Sequence, residues 1–470
     1  LAELQTPQGL FPSNDVRAAT DDWLTRELCR TREQLRAGPV SANLPVDAFD
    51  AELAELDFAG PQDIKGVLGW VLSRMGPGMV HVTHPRYFGL FNPTPTYAAE
   101  CADRIVGCLN PQLASARTSP FPVALEAALI AKLAQRTGLP SNAGGHFTTS
   151  GSEANYTAAL CALTNANPLF ATEGARAFAG RPTIYISADA HLAWLKIAHQ
   201  AGIGRNAIRL VATDGQGRLD TRALVACIEA DLSSGCAPAM IVATAGTTAA
   251  GMIDPLGECG DIATRYGAWF HVDAAWGGAL MCSDQTIGLI EGIASADSIT
   301  MDAHKWFATT MCCGIFLTSK PHVLSDTFHA TMDCMPSNLA GIDPWITTVQ
   351  WSRRFLGLRL FVALACVGWE GYAAHVEKAI SLAAMLKSFL EGKGWTQLNE
   401  SSLAILCLRP PPGAADPRQI AKSIVQEGEA WISTAEFEGE WVIRACITSG
   451  ETTEADVVRL AVLLQKHAFG

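Results

Sequence analysis

Ala268-Trp269-Phe270-His271-Val272-Asp273-Ala274-Ala275-Trp276-Gly277-Gly278 is followed shortly by Ser298-Ile299-Thr300-Met301-Asp302-Ala303-His304-Lys305-Trp306. Each stretch opens as an apolar, strand-like run and closes on a residue with chemistry to offer, a carboxylate at Asp273 and an amine at Lys305. Open α/β sheets place ligands outside the C-terminal edges of their parallel strands, so the two side chains are expected to converge on one site. Singly, an aspartate after a buried strand is often a helix N-cap, and a lysine after a strand a solvated loop residue. The ordered pair, with His304 before the lysine and two glycines after Trp276, points instead to a built site.

Outward from this pair, short β-rich runs alternate with helix-length amphipathic segments. Strands are expected near 183–187, 207–212, 239–244, 268–273, 298–301 and 313–317, and helices over Val123 to Arg136, Glu153 to Leu163, Leu192 to Ala201 and Asp220 to Leu232. That alternation is the pattern of parallel strands with crossover helices, and near-continuous apolar strands such as Met240-Ile241-Val242-Ala243 imply burial on both faces. Residues 86–350 are therefore read as a large, mainly parallel α/β domain. Residues 1–85 carry helical patterns without strand runs, with connectors at Thr6-Pro7-Gln8-Gly9 and Pro39 to Pro45. Residues 351–470 read as a small α+β domain. It has a long helix over Leu356 to Glu391, a strand at Leu403 to Leu408, a helix from Pro417 to Glu427, and strands at Trp431 to Phe437 and Glu440 to Ile447. A closing helix starts at Thr453, whose acidic partner three positions on makes a capping-box variant.

A chain of 470 residues exceeds what one core usually organises, so at least two domains are expected. The net charge of −12 argues against a nucleic-acid partner. No apolar run approaches a membrane span and Leu1-Ala2-Glu3 does not begin a signal peptide, so no membrane partner and a cytoplasmic location are expected. The 14 cysteines include no Cys-x-x-Cys pair. Cys161, Cys227 and Cys366 fall in apolar helical patterns and are expected to be buried, reduced thiols. Cys313 belongs with an apolar strand, and Cys312 beside it could be reactive.

An amine and a carboxylate at one sheet edge suit pyridoxal 5'-phosphate (PLP). Its aldehyde forms a Schiff base with a lysine, and a carboxylate that keeps its pyridine nitrogen protonated lets the ring accept electrons. Upstream, Thr148-Thr149-Ser150-Gly151-Ser152-Glu153-Ala154-Asn155 is a small-residue turn opening into a helix, either a phosphate cradle or ordinary capping. His191, after the strand-like run Ile184 to Ser187, is a second ring-contacting candidate or a buried neutral imidazole. Thr248 and Asp254 follow the strand Ile241 to Thr244 and could equally be turn and cap residues.

HVDAAWGG followed by DAHKW resembles the group II PLP-dependent decarboxylases, the family of the aromatic-amino-acid and glutamate decarboxylases. The resemblance implies the type I PLP-dependent (aspartate aminotransferase-like) fold: a large, mainly parallel sheet domain with a small C-terminal α+β domain. It also implies decarboxylation of an L-amino acid to an amine and CO₂ through a Schiff base on Lys305. By the same resemblance Gly151, Ser152 and Ser150 hold the cofactor phosphate, and His191 stacks on the ring. Thr248 lies near the ring, Asp254 supports the site, and Ala275, Asp302 and His304 complete the cofactor contacts with Asp273 and Lys305. The family's substrate entry resembles His84-Pro85-Arg86-Tyr87-Phe88-Gly89 and Asn92-Pro93-Thr94, so His84, Asn92, Pro93 and Thr94 are the substrate-binding candidates. A homodimer is implied, with residues 1–85 packed across the partner and Ser352, beside Arg353-Arg354-Phe355, a phosphate contact in trans.

One departure bears on the product. Family decarboxylases carry a loop tyrosine that helps protonate Cα, which by count would fall near Cys334, yet no tyrosine occurs from Trp306 to Gly371. His329 is then the nearest ionisable donor, or oxygen intervenes and decarboxylation ends in oxidative deamination to an aldehyde. Two further readings stay open: a metal-dependent hydrolase with His271, Asp273 and His304 as ligands, although no metal is expected, and a non-catalytic protein of the same fold.

Overall fold

A computed structural model describes residues 10–330 and 343–470 of the chain. Its framework is a seven-stranded sheet in the order β1-β7-β6-β5-β4-β2-β3. The strands are β1 Gly144–Thr148, β2 Pro182–Ser187, β3 Ile208–Val211, β4 Ala237–Thr244, β5 Trp269–Asp273, β6 Ser298–Asp302 and β7 Gly314–Thr318. β2 to β6 pair in parallel, and β7 runs antiparallel to both β6 and β1. The link from β6 to β7 carries Lys305 and contains no crossover helix, so the chain returns beside β6 in the opposite sense.

Both faces of the sheet are covered, as the apolar strands imply. Alternate residues feed different cores. Phe270, Val272, Ile241 and Ala243 join one apolar cluster, while Trp269, Met240, Val242 and Ile186 join another on the opposite face. The second face is covered by the helix Gly151–Ala166, whose Ala154, Ala158 and Ala162 let it lie close to the strands. The first cluster continues from Val272 and Met301 into Leu406 and Ile443 of a four-stranded antiparallel sheet. That sheet comprises β8 Thr396–Gln397, β9 Ile405–Arg409, β10 Ser433–Phe437 and β11 Glu440–Cys446, in the order β10-β11-β9-β8. Around it pack the helices Leu358–Glu391, Pro417–Glu427 and Glu454–Phe469, the last opened by the Thr453–Asp456 capping box.

Several expectations need correction. β1 was not anticipated, because two of its five residues are glycine and only Phe147 is strongly apolar. The helix Leu256–Tyr266 was also missed, although it buries Leu256, Cys259 and Ala263 along one stripe. The expected continuous helix over 356–391 is interrupted at Gly368, whose φ of 65° and ψ of −177° suit a glycine. Cys366, two residues before that break, is exposed, and Cys227 is half-buried, so neither is the buried thiol expected; Cys161 and Cys313 are buried.

The N-terminal helices are Asn14–Ala37, Asp50–Ala54 and Ile64–Met75, and Thr20 is the one buried residue in them. Pro39 to Pro45 is irregular, while Leu1-Ala2-Glu3 and Thr6 to Gly9 lie outside the described residues. Among the described residues no helix is long and apolar enough to cross a membrane.

Candidate active site

At the C-terminal edges of β4, β5 and β6 lies a cavity of about 200 Å³. The β6–β7 link supplies its amine. Lys305 Nζ lies 3.2 Å from Asp302 Oδ2 and 5.8 Å from the centre of the Phe91 ring. The backbone N–H of Lys305 also donates to the Asp302 carbonyl at 3.1 Å, which holds the lysine at the strand end. His304 turns inward, with Nδ1 3.1 Å from the Cys313 carbonyl oxygen.

The helix Gly151–Ala166 aims its N-terminus at the same cavity. Ser150 is its cap, with Oγ accepting the Glu153 N–H at 3.3 Å, so ordinary capping accounts for that side chain. The backbone N–H groups of Gly151 and Ser152 have no acceptor among the described residues. They form an anion site at the positive end of the helix. A Cβ on residue 151 would stand 2.8 Å from Asp302 Oδ2, so only glycine brings this helix end so close to the carboxylate that holds Lys305.

The third wall is Asp273, nearly fully buried. Its Oδ1 accepts the Ala275 N–H at 3.2 Å, and its Oδ2 accepts Asn155 Nδ2 at 2.8 Å. Behind Asn155 the polar contacts continue inward. Asn155 Oδ1 meets His271 Nε2 at 3.1 Å, and His271 Nδ1 meets Ser298 Oγ at 2.8 Å. Trp269 Nε1 donates to the same serine oxygen at 2.8 Å. Burial pushes the His271 imidazole down to about 4, so the ring is neutral.

Aromatic rings close the remaining side. Phe91 stacks on Trp276 with centres 4.5 Å apart, and Trp276 on Trp306 at 5.0 Å. The guanidinium of Arg444, on β11, lies 4.9 Å from the Phe91 centre. Arg444 donates to the carbonyls of Thr248 and Gly89, while its Nη2 has no partner among the described residues.

The structure gathers Ser150, Gly151, Ser152, His191, Thr248, Asp273, Ala275, Asp302, His304 and Lys305 around this one cavity. His191 is exposed at its mouth, not buried, with Nδ1 accepting the Ala193 N–H at 3.1 Å. Asp254 stands behind the site: its two oxygens accept the N–H groups of Leu219 at 2.8 Å and Thr244 at 2.7 Å, which pins the end of β4. Burial pushes its carboxyl up to about 7.

Other candidates lie elsewhere. His84 is buried away from the cavity, with Nδ1 accepting the Arg86 N–H at 3.0 Å. Asn92 Nδ2 faces the Met311 sulfur at 3.0 Å, and Pro93 is buried beside it. Thr94 donates to the Thr83 carbonyl at 2.9 Å and lines a separate cavity of about 300 Å³ with Tyr372 and His375. Phe91, one residue before Asn92, is what this segment contributes to the Lys305 cavity. Ser352 is exposed, 3.5 Å from Gln112 Nε2, and outside the cavity of its own chain. His329 is exposed just after the helix His322–Phe328, and Cys334 lies outside the described residues. The metal reading loses His271, both of whose nitrogens are engaged by Ser298 and Asn155.

Sequence reasoning missed Phe91, Asn155, Thr244, Gly246 and Trp276, all of which line the cavity. Asn155 was within reach: it sits one turn inside the helix from Gly151, on the face that meets the site. Arg444 also had a signal, a charge in the otherwise apolar run Val442 to Cys446.

The donor set fits PLP: unpaired N–H groups at a helix end for a phosphate, a buried carboxylate for a pyridine nitrogen and an amine for an aldehyde. Thr244 Oγ1 and Asp302 Oδ1, buried on the same cavity, also lack partners among the described residues.

Similarity to known proteins agrees. The chain is 26% identical to the aromatic-L-amino-acid decarboxylase of Bacillus atrophaeus over 447 residues, covering 92% of each protein. The fold superposes on Catharanthus roseus tryptophan decarboxylase in complex with L-tryptophan with a TM-score of 0.89 at 21% identity, covering 97% of this chain and 98% of that one. It superposes on Rhodiola rosea 4-hydroxyphenylacetaldehyde synthase with a TM-score of 0.88 at 22% identity, with coverage of 97% and 98%. Residues 52–409 match the pyridoxal-dependent decarboxylase conserved domain. With that match over most of its length and a cavity suited to the cofactor, the chain belongs to the pyridoxal-dependent decarboxylase family, as a PLP-dependent carboxy-lyase.

Proposed function

We propose that the enzyme decarboxylates an aromatic L-amino acid to CO₂ and an amine, with Lys305 as the residue that would hold the cofactor aldehyde and Asp273 the one that would hold its pyridine nitrogen. What supports this is the convergence of Lys305, Asp273 and the free end of the helix Gly151–Ala166 on one cavity. When bound, PLP supplies an electron-accepting ring that stabilises the electron pair left at Cα as CO₂ departs. Gly151 and Ser152 bind the phosphate through backbone N–H groups, with Ser150 beside them. Asp302 holds the Lys305 amine, and His304 braces the link that carries both. His191 and Thr248 orient the ring from the mouth, while Ala275 fixes the rotamer of Asp273. Phe91 and Trp276 exclude water, and they suit an aromatic side chain such as those of the substrates for which two of the relatives above are named.

Purified enzyme should be yellow and lose that colour on borohydride reduction, with the label on Lys305. Amine and CO₂ should form from one or more aromatic amino acids. Label on another lysine, or turnover confined to acidic amino acids, overturns the corresponding half of the proposal.

The absence of tyrosine from Trp306 to Gly371 favours a second reading of the product. If no donor protonates Cα, oxygen takes the electron pair. The amino acid, O₂ and water then give aldehyde, CO₂, ammonia and hydrogen peroxide. His329 is our candidate donor from the loop side, and peroxide release separates the two outcomes.

The working form is a homodimer. The N-terminal helices bury almost nothing in one chain, and on them and the segments flanking them Leu10, Phe11, Val46, Leu53, Phe58 and Val67 are exposed. So much apolar surface calls for a partner, and a second copy would bring Ser352 to the neighbouring site. The described cysteines are all free, which suits a reducing, cytoplasmic setting.

A further inference from the structure

We propose that His271 is a positioning residue for the cofactor: held by Ser298 as the tautomer protonated on Nε2, it locks the Asn155 amide so that one N–H is presented to Asp273, whose remaining lone pairs are left for the pyridine nitrogen. The inference rests on the assignment of Asp273 to that nitrogen.

The protons can be placed because the relay ends in groups that only donate or only accept. Trp269 Nε1 only donates, and its acceptor is Ser298 Oγ at 2.8 Å. The single hydroxyl hydrogen of the serine is then free for His271 Nδ1, also 2.8 Å away. At the other end the Asp273 carboxylate accepts, so the Asn155 group 2.8 Å from Oδ2 is the amide NH₂. That orientation turns the amide oxygen to His271 Nε2 at 3.1 Å. The carboxylate end therefore requires Nε2 protonated, and in a neutral ring that leaves Nδ1 bare to accept the serine proton.

The strands enforce the arrangement. β5 and β6 pair His271 with Ser298, and the alternation along β5 puts Trp269, His271 and Asp273 on the face covered by Asn155. The Trp194 ring meets His271 edge-on at 5.6 Å, an apolar neighbour that offers the imidazole no competing acceptor. His271 has no exposure, so an imidazolium there would be a charge out of reach of water. Each hydrogen bond in the relay points towards Asp273, so each strengthens the next. Without the serine proton the opposite tautomer becomes available. Nε2 would then need a donor, the Asn155 amide would turn over, and its oxygen would face the carboxylate.

The test uses holoenzyme with isotope-labelled histidine, and with the label in the cofactor's pyridine nitrogen, read by nitrogen NMR. In the wild type His271 should show the Nε2–H pattern and the pyridine nitrogen should be protonated. In Ser298→Ala the His271 pattern should shift towards Nδ1–H and the pyridine signal towards the unprotonated position. Cofactor affinity should fall by about tenfold to a hundredfold, the range for one hydrogen bond to a charged group, and Ser298→Thr should restore both signals. A wild-type His271 seen as Nδ1–H or as imidazolium overturns the proposal. So does a pyridine signal unmoved in both Ser298→Ala and His271→Phe; the second variant keeps the test open if the first does not fold. Asp273→Asn separates the two levels of inference. If it leaves the pyridine signal in place, the assignment of Asp273 has failed; if it moves the signal while the relay variants do not, only the relay has.

Discussion

The wall around Asp273 and the helices of residues 14–75 are built on opposite principles. Every polar group from Trp269 to Asp273 on the site face of β5 is buried and answered within the chain. The N-terminal helices instead leave aliphatic side chains such as Leu53, Ile64 and Val67 in solvent and bury Thr20 alone. A buried polar network gains its precision from full satisfaction, because each unmet partner costs about 1–3 kcal/mol. An exposed apolar helix gains nothing until something covers it. The wall around Asp273 is thus satisfied within one chain, while the N-terminal helices leave their apolar side chains uncovered by it.

The sharpest way to break this comparison is Asp273→Ala. Losing one preorganised electrostatic contact to the reacting system should lower kcat by about 10²–10³-fold. The fold should survive, since the orphaned Asn155 amide costs only about 1–3 kcal/mol. Steady-state kinetics beside a urea unfolding curve decides it: near-normal turnover would reduce Asp273 to the cap of the Ala275 turn, and global unfolding would make the network structural.

How far the sequence carried depends on the same contrast. Asp273, Lys305 and the turn at Ser150 were legible because each sits at the end of a regular element, where one-dimensional order fixes position at the sheet edge. Asn155, Phe91 and Trp276 were not, because their roles depend on which elements stack against each other. The segment 84–94 shows the limit most clearly: its residues could be named, but in an irregular stretch nothing in the sequence says that Phe91, and not Asn92 or Thr94, reaches the cavity. β1 was invisible for a local reason, its glycines, and is held as a strand by pairing with β7 along its whole length.

A second prediction attacks the N-terminal side. Phe58 is 88% exposed in the single chain. Phe58→Asp should raise the dimer dissociation constant by about tenfold or more if the ring is buried between copies, the scale of an interfacial aromatic anchor. The protomer should tolerate the change, because residue 58 has a φ of 54°, which aspartate adopts more readily than phenylalanine. Sedimentation across a concentration series reads the outcome, and a wild-type enzyme that is active as a monomer removes the contrast altogether.

A third prediction concerns a buried carboxyl behind the satisfied network whose pKa is raised. Burial pushes Asp254 from 3.8 to about 7. The folded state therefore holds a proton that the unfolded state has released between those values. Stability from this group is fully present below pH 4, declines as pH rises, and is gone above about 7, with a slope approaching about 1.4 kcal/mol per pH unit between. Asp254→Asn keeps one acceptor for the N–H groups of Leu219 and Thr244 and cannot titrate. Its stability should be lower at acid pH and flatter from pH 5 to 7. Equal slopes for mutant and wild type in that window would show that Asp254 does not titrate there.

The smallest expected effect belongs to His329, which lies with neither region. It is exposed beyond the helix His322–Phe328 and does not line the Lys305 cavity. A proton donor acts within hydrogen-bond reach of the atom it protonates, and His329 does not stand that close to the cavity in the single chain. His329→Phe should therefore reduce the amine-to-aldehyde ratio by no more than a few-fold, the loss of a donor that is shared. His191→Phe, at the cavity mouth, should reduce it further. Parallel assays of amine and hydrogen peroxide distinguish the cases. If His329→Phe keeps wild-type amine output without oxygen consumption, Cα is protonated from within the cavity, by Lys305 or His191. If peroxide already matches CO₂ in the wild type, no donor operates, and the missing tyrosine has changed the product itself.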